Sequence, residues 1–215
     1  FIRLNAINPG FDTENLLTGE IMVPRGLFPD PGQRTRFFEM LREDFAAVPG
    51  IKAVGFINNL PIRNAGNNVP VWSPDRPPRS SSDWQMAFQR SVLPGYFEAM
   101  RIPLLAGRDI SSNDTANSPK VLVASEQMVR TLFPGKNALG QTVMVDAGGA
   151  QPLSFQIVCI VGDVRGGDGL SRPPRMMMYR SLHQVPSSVM RFALRTALDP
   201  ASLTPPIRKL ALGRD

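Results

Sequence analysis

The stretch Ile51-Lys-Ala-Val-Gly-Phe-Ile57 is rich in β-branched and apolar residues and predicts a buried β strand. A second predicted strand, residues 15–23, precedes it. Between the two, apolar side chains recur at helical spacing, and Pro/Gly turns at residues 29–32 and 49–50 bound this helix. The apolar stripe consists of Phe37, Phe38, Leu41, Phe45 and Val48. Strand, amphipathic helix and strand together predict a βαβ unit with parallel strands and a right-handed crossover.

The next part of the chain is different in character. Pro, Asn, Arg and Ser dominate much of residues 61–83, which predicts an irregular excursion. Beyond it, Trp84, Met86 and Phe88 alternate with other residues, so we expect a strand that buries these three side chains on one face. Pro94-Gly95 then begins a short helical turn.

Shorter units follow Gly107. A strand at residues 120–124 leads into a helix that has Ser125 as its N-cap and ends at Pro134-Gly135. Because proline cannot lie within a regular helix, we expect the last helix to begin at Pro205-Pro206, with Thr204 as its cap, or to be broken there. Further strands are predicted at residues 141–146, 154–161, 175–179 and 188–195.

The composition is that of a folded domain, since 42% of the 215 residues are hydrophobic, and this excludes disorder of the whole chain. The longest uninterrupted apolar run is five residues, 157–161, whereas a membrane-spanning helix needs about twenty. Because the chain begins with Phe1 and shows no leader, we expect it to be a piece of a longer protein.

The net charge of +6 comes from 24 Lys and Arg against 18 Asp and Glu. The basic residues are spread from Arg3 to Arg214 without a run of three. Surfaces that bind nucleic acid usually concentrate them on one helix or stripe, so we expect no nucleic-acid partner.

Few residues could carry catalysis. His183 is the only histidine, no Ser lies in a G-x-S-x-G turn, and the sequence neighbours of His183 include no acid. We therefore expect a loop histidine without a catalytic role. A single cysteine, Cys159, excludes a disulfide framework and a cysteine-based zinc site, and its apolar strand predicts a buried, inert thiol.

The glycine-rich loop at residues 162–169 follows a predicted strand, as phosphate-binding loops do. It matches neither G-K-[ST] nor G-x-G-x-x-G, so we expect a flexible loop. Its two carboxylates, Asp163 and Asp168, offer too few oxygen ligands for calcium.

The remaining candidates favour structural roles. Asp109 and Asp114 lie in a polar loop and Glu126 in the first turn of a helix, which does not predict a paired acid–base site. Met176-Met177-Met178 predicts strand packing, with residues 176 and 178 on one face, rather than a metal site. The residues thus predict no catalytic, cofactor-binding or metal site.

A series of short motifs, each weak alone, occurs in a fixed order along nearly the whole chain. They are Asn8-Pro-Gly-Phe-Asp12, Val48-Pro-Gly-Ile-Lys-Ala-Val54, Asn59-Leu-Pro61, Val92-Leu-Pro-Gly-Tyr-Phe97, Ile102-Pro-Leu-Leu-Ala-Gly-Arg-Asp109, Asp114-Thr115, Val121-Leu-Val-Ala-Ser-Glu126, Leu132-Phe-Pro-Gly135, Leu139-Gly140, Ile157-Val-Cys-Ile-Val-Gly-Asp-Val-Arg165, Tyr179 with Gln184, and Arg195-Thr-Ala-Leu-Asp-Pro200. In this order the sequence resembles the MacB-like periplasmic core domain of ABC transporter permeases, especially the orphan permeases common in acidobacterial genomes.

The resemblance implies a mixed α/β (α+β), two-lobed domain. Residues 1–106 and 188–215 would form a porter-like subdomain that contains the βαβ unit. Residues 107–187 would form a smaller α/β subdomain inserted into it. In the family such a domain follows the first membrane helix and precedes three more.

The resemblance also implies a non-catalytic role on the periplasmic side of the inner membrane. There the domain would couple ATP-driven movement of membrane helices to the export or release of a substrate that the resemblance does not identify. The expected partners are the membrane helices of the same permease, a second permease copy, a cytoplasmic ATPase subunit and an optional periplasmic adaptor. No cofactor is implied.

Two other functions remain open at this point. One is a free-standing periplasmic module that captures a ligand between its lobes, with Trp72 and Trp84 as cleft-lining candidates. The other is an enzyme that depends on His183.

Overall fold

The computed structural model describes residues 8–24, 26–61, 66–166 and 169–213. Within these ranges the chain forms ten strands and four α helices, which confirms the predicted mixed α and β fold class. In chain order they are β1 (Leu16–Met22), α1 (Pro31–Ala46), β2 (Ile51–Ile57), β3 (Asn68–Trp72), β4 (Gln85–Val92), α2 (Tyr96–Met100), β5 (Leu104–Gly107), β6 (Val121–Ser125), α3 (Glu126–Leu132), β7 (Thr142–Val145), β8 (Leu153–Val161), β9 (Met177–Ser181), β10 (Val189–Thr196) and α4 (Pro200–Leu212).

The predicted strand–helix–strand unit is present, and its two strands run parallel, but they are not neighbours. Strand β10 lies between β1 and β2 and pairs antiparallel with both. Helix α1 begins with Asp30 as N-cap, whose side chain accepts a hydrogen bond from Gln33 N at 2.9 Å, followed by Pro31 in the first turn. Helices α1 and α4 bury Phe38, Phe45, Leu203 and Ile207 against these strands in what we call the sheet core.

Six strands close into a barrel. Strand β4 pairs with β3, which is followed by β7, β8, β6 and β9, and β9 pairs with β4 again. Every strand contributes to one buried cluster, as the inside of a closed barrel requires. This barrel core includes Val71, Ala87, Leu122, Val143, Phe155 and Met178.

Helix α2 lies between the sheet and the barrel. On one side it contacts β2 and β10, and on the other it packs against the outer faces of β6, β8 and β9. The resulting junction core contains Tyr96, Phe97 and Met100 from the helix together with Tyr179 from β9. The rings of Phe97 and Tyr179 meet edge to face with their centroids 5.0 Å apart. One short helix therefore joins the two parts of the fold.

A bulge allows β8 to contribute side chains to both the barrel core and the junction core. Residues 155, 157, 159 and 161 alternate as in a strand with one buried face, but the pairing with β6 shifts so that Leu122 lies opposite Ile157 and Val123 lies opposite Cys159. The side chains before the shift enter the barrel core, and those of Cys159 and Val161 enter the junction core. The carbonyl of Val158 turns outward and accepts a hydrogen bond from Arg108 N at 3.0 Å.

Two predictions for residues 61–88 are wrong. The predicted excursion contains a regular strand, β3, because its alternate residues complete the barrel between β4 and β7. Trp84 and Met86 are 44% and 40% exposed, while Ala87 is fully buried, so the buried face of β4 is not the predicted one. The pairing of β4 in the barrel places Ala87 in the barrel core and leaves Met86 exposed.

The prediction for the last helix is also wrong. Helix α4 spans Pro200–Leu212, with Asp199 as N-cap and with Pro205 and Pro206 inside it. The two prolines lie on the exposed face, where water can hydrogen-bond to the backbone carbonyls that their missing N–H groups leave free. Leu203 and Ile207 on the opposite face are buried, so tertiary packing outweighs the local cost.

None of the helices in the described ranges is long and apolar enough to cross a membrane, and the longest of them, α1, has 16 residues.

Candidate functional site

The segment before β1, residues 8–15, is bonded to three parts of the fold, and we call it the leading segment. The guanidinium of Arg195, only 4% exposed, donates to Asp12 O at 2.8 Å, to Ala99 O at 3.0 Å and to Glu14 O. Asp12 N donates to Met100 O at 3.1 Å. Arg195 on β10 thus ties the leading segment to the sheet and to the end of α2.

The leading segment also contacts the loop that follows β8. Arg165 N donates to Pro9 O at 2.8 Å. Gly10 has a φ of +84°, and a Cβ at this position would collide with Asp163 O. Only glycine combines this backbone conformation with so close an approach, which accounts for the glycine in the first family-like motif.

Asp114 organises the loop that leaves β5. Its carboxylate accepts hydrogen bonds from both terminal nitrogens of Arg108 at 2.8 Å and from Ser111 N at 2.8 Å. Its own carbonyl accepts from Ser181 Oγ at the end of β9, also at 2.8 Å. Gly107 allows the backbone to turn from β5 into this loop, because its φ is +86° and a Cβ there would collide with Val158 O of the β8 bulge.

The pKa values of two carboxylates in this loop are shifted in opposite directions. Burial by itself would raise the pKa of Asp114, but the hydrogen bonds from Arg108 and Ser111 outweigh it, and the pKa lies below its ordinary value. Burial raises the pKa of Asp109, despite the hydrogen bonds that Asp109 accepts from Ile110 N and Gly95 N. The two acids stabilise loop geometry, and they do not form the shared-proton pair of an acid–base site.

We predict that Asp114→Asn lowers the free energy of unfolding by about 1–2 kcal/mol at neutral pH, because the paired hydrogen bonds to Arg108 are lost. A lowered folded-state pKa contributes stability above the ordinary value of 3.8, and that contribution disappears as the pH falls through the lowered value. Urea titrations at pH 7 and near the acid limit of folding should therefore show that the difference in unfolding free energy between Asp114→Asn and the wild-type protein shrinks on acidification.

Asp109→Asn is the matched control for this prediction. The pKa of Asp109 is raised, so its charged form costs stability at neutral pH, and the amide keeps an oxygen acceptor for Ile110 N. We expect it to cost less than Asp114→Asn at pH 7. An Asp114→Asn deficit that stays constant as the pH falls would contradict the assignment.

Gln184 forms another polar connection. Its Nε2 donates to Pro119 O at 3.0 Å and to Thr115 O and Ser118 Oγ at 3.2 Å, while its Oε1 accepts from Val121 N at 3.0 Å. It therefore fixes the start of β6 to the loop after β9. The motifs that carried the family resemblance thus serve to hold backbone segments together.

His183 does have an acidic partner, which its sequence neighbours did not supply. Its Nε2 lies 2.9 Å from Glu39 Oε1 on α1, and the two positions are 144 residues apart. The nearby Ser181 hydroxyl donates instead to Asp114 O. The His183–Glu39 pair joins α1 to the loop after β9 and is not directed at this hydroxyl, so it has no serine to activate there.

The other predicted chemical candidates have structural surroundings. Asp163 accepts from Gln127 N at 2.7 Å and from Arg130 Nη2 at 2.5 Å, while Glu126 is paired with the same arginine at 3.5 Å. Asp168 lies outside the described residues. In the part of the chain that the structure describes, no group of three or more His, Cys, Asp or Glu side chains could hold a metal ion.

Cys159 is fully buried in the junction core, and burial raises the pKa of its thiol to about 11. Met176 and Met178 lie in the barrel core and Met177 lies in the junction core, as the predicted alternation requires. These side chains fill space.

An apolar and a polar cavity are among those that lie beside the junction. The apolar one, of about 480 Å³, is lined by side chains of the leading segment and its surroundings, among them Phe11, Leu16, Leu60 and Met100. Trp72 is half-buried and Trp84 exposed, and neither lines these two cavities.

The family model for MacB-like periplasmic core domains matches residues 4–206. The chain belongs to this family. It is therefore the extracytoplasmic domain of a MacB-type ABC transporter permease. A search of curated protein sequences found no match.

Solved structures show the same fold in other MacB-like periplasmic core domains and related proteins. The periplasmic region of MacB from Actinobacillus actinomycetemcomitans is 16% identical with a TM-score of 0.59, covering 95% of this chain and 86% of that one. The extracellular domain of the noncanonic ABC-type transporter YknZ from Gram-positive bacteria is 15% identical with a TM-score of 0.54, covering 93% and 92%. A domain of a putative permease from Porphyromonas gingivalis is 11% identical with a TM-score of 0.54, covering 97% and 87%.

Proposed function

We propose that this domain transmits ATP-driven movement of the membrane helices to the export or release of a substrate outside the inner membrane, and that it does so without catalysis. The leading segment supports the proposal most directly. It is bonded to β10 through Arg195, to α2 through Asp12 and to the loop after β8 through Pro9. A force applied to this segment would therefore act on sheet and barrel together.

The division into a porter-like subdomain, residues 1–106 and 188–215, and an inserted subdomain, residues 107–187, is part of the same proposal. Strand β3 falls in the porter-like range of this division but pairs with β7 in the barrel. Strand β4 would belong to both parts, because its residues Phe88–Val92 pair with β9 in the barrel and Val92 pairs with Ile57 of β2. Helix α2 would transmit movement between them, since its side chains are buried on both sides. Two arrangements of different energy in the two nucleotide states would then be enough for a transport cycle.

The partners in this proposal are the other segments of the permease, a second permease copy, a cytoplasmic ATPase subunit and an optional periplasmic adaptor. The domain itself would carry no cofactor.

The test uses the parent permease with its ATPase in lipid nanodiscs. In a Cys159→Ala background, a spin label is placed at exposed Arg36 on α1 or at exposed Gln151 beside the barrel. The distance between the labels of the two copies is measured with and without ATP, and an ATPase variant that cannot bind the nucleotide is the control. We expect ATP to shift the distances at both positions. Unchanged distances, or a change at one position only, would refute coupled movement of sheet and barrel.

The parent gene distinguishes this function from the free-standing ligand-binding module. Apolar spans of about twenty residues on both sides of the domain are expected for a permease. A cleavable leader before residue 1 and a stop codon soon after residue 215 would favour the binding module instead.

A further inference from the structure

A second, polar cavity of about 310 Å³ lies where β4 and β9 meet the loops after β2 and before β10. Amide and hydroxyl groups line much of it, including those of Asn67, Gln89 and Ser187, and three arginines contribute, Arg90, Arg180 and Arg191. The residues that the structure describes as its lining include no Asp or Glu. The cavity therefore has an excess of hydrogen-bond donors and of positive charge.

Arg180 is the central group of this cavity. It lies in β9, is only 4% exposed, and its guanidinium lies 5.4 Å from the centre of the Phe155 ring in the barrel. Its Nη2 donates to Gln89 Oε1, but its buried Nε has no hydrogen-bond partner among the residues that the structure describes. Among the described residues, no carboxylate lies within ion-pair distance of it.

The position of this charge is energetically unfavourable. Burial lowers the pKa of Arg180 to about 10, and no charge among the described residues opposes that effect. Removing a cation from water without a counter-ion lowers the stability of the folded state. An anion supplied from outside would recover part of that stability.

The two other arginines add to the positive potential of the cavity. Arg90 is 2% exposed, and its pKa is lowered mainly by burial, with a smaller contribution from the charge of Arg191. Arg191 is paired with Glu20 at 2.6 Å and donates to Asn58 O, yet within the described ranges its own buried Nε also has no hydrogen-bond partner. Two unused N–H donors thus lie among the arginines of one cavity.

We propose that this cavity binds a small oxyanion group, a carboxylate or a phosphate, with Arg180 as the principal ligand. A planar guanidinium presents donors in a fork that matches both groups. The volume is at the lower end of the range for ligand cavities, so a compact anion or the anionic end of a larger molecule fits it. This site is separate from the leading segment, and the proposal does not depend on the proposed function.

The test measures the melting temperature of the 215-residue chain in increasing sodium phosphate or sodium acetate, against sodium chloride at matched ionic strength. A ligand that binds the folded state raises the melting temperature by mass action. We expect phosphate or acetate to raise it above the chloride control, and the larger rise identifies the preferred group. Equal curves in all three salts would overturn the proposal.

Arg180→Met removes the charge and keeps much of the apolar stem. We expect it to weaken the apparent affinity for the anion by about tenfold or more, since hydrogen bonds to charged groups are among the strongest in proteins. Arg36→Met, at an exposed position on α1, removes the same charge elsewhere and should leave the effect unchanged. If Arg180→Met does not fold, Arg180→Gln replaces it, because the amide keeps a donor for Gln89. An anion effect that survives the loss of the Arg180 charge would overturn the proposal.

Discussion

Phe97→Ala should lower the free energy of unfolding by about 3–5 kcal/mol, the range found for removing a large aromatic side chain from a packed core. Phe97 is fully buried, and its ring contacts Tyr96 and Tyr179 edge to face, at centroid distances of 5.4 and 5.0 Å. The cavity would open in the junction core, between the sheet and the barrel. Chemical denaturation followed by tryptophan fluorescence and circular dichroism measures the loss.

Leu105→Ala provides the matched control for this prediction. It lies in β5, a few residues further along the chain, and Leu105 is 50% exposed. Surface substitutions of this kind usually change stability by less than about 0.5 kcal/mol. A similar loss for both variants would show that α2 does not anchor the junction as the packing indicates.

Arg195→Met should cost about 3 kcal/mol in the free energy of unfolding, because three backbone carbonyls lose their donor at once. The methionine stem can replace the apolar part of the arginine but donates no hydrogen bond. We also expect hydrogen exchange at Asp12 N, which donates to Met100 O, to become faster than in the wild-type protein, since the leading segment is no longer held. Denaturation and amide exchange measured by mass spectrometry test both effects.

Arg208→Met, at an exposed position on α4, removes one arginine without removing a buried donor, and it should leave stability and exchange nearly unchanged. If Arg195→Met behaved like this control, the leading segment would be held by other contacts. The structural support for the proposed transmission of movement would then be lost.

Local pattern was enough to place most elements of this fold. Periodicity and turn residues predicted β2, α1, β6 and β10 to within about two residues, because each has a run or period of apolar residues and Pro or Gly near at least one end. The N-cap role predicted for Ser125 is confirmed, since its hydroxyl accepts from Met128 N at 3.3 Å. The order of the motifs also identified the family, which the match over residues 4–206 confirms.

The candidate site was only partly accessible from the sequence. The motifs contained Arg108, Asp114, Gln184 and Arg195, but nothing in their spacing showed that Arg108 pairs with Asp114. Nor did it show that Gln184 and Arg195 bind backbone groups far away in the chain. The buried Arg180 had no signal at all, because an arginine in a strand is ordinarily exposed and its burial depends on the closure of the barrel. The same is true of the His183–Glu39 pair, whose members come from opposite ends of the sequence.

The sequence by itself therefore determined the type and position of most elements, since these depend on residues close together in the chain, and the order of the motifs determined the family. Only the tertiary structure decided that β10 lies between β1 and β2, that β8 bulges to serve two cores, and that Pro205 and Pro206 are carried inside α4. Each of these outcomes follows from burial against distant segments, which supplies more free energy than local propensity and outweighs it where the two conflict.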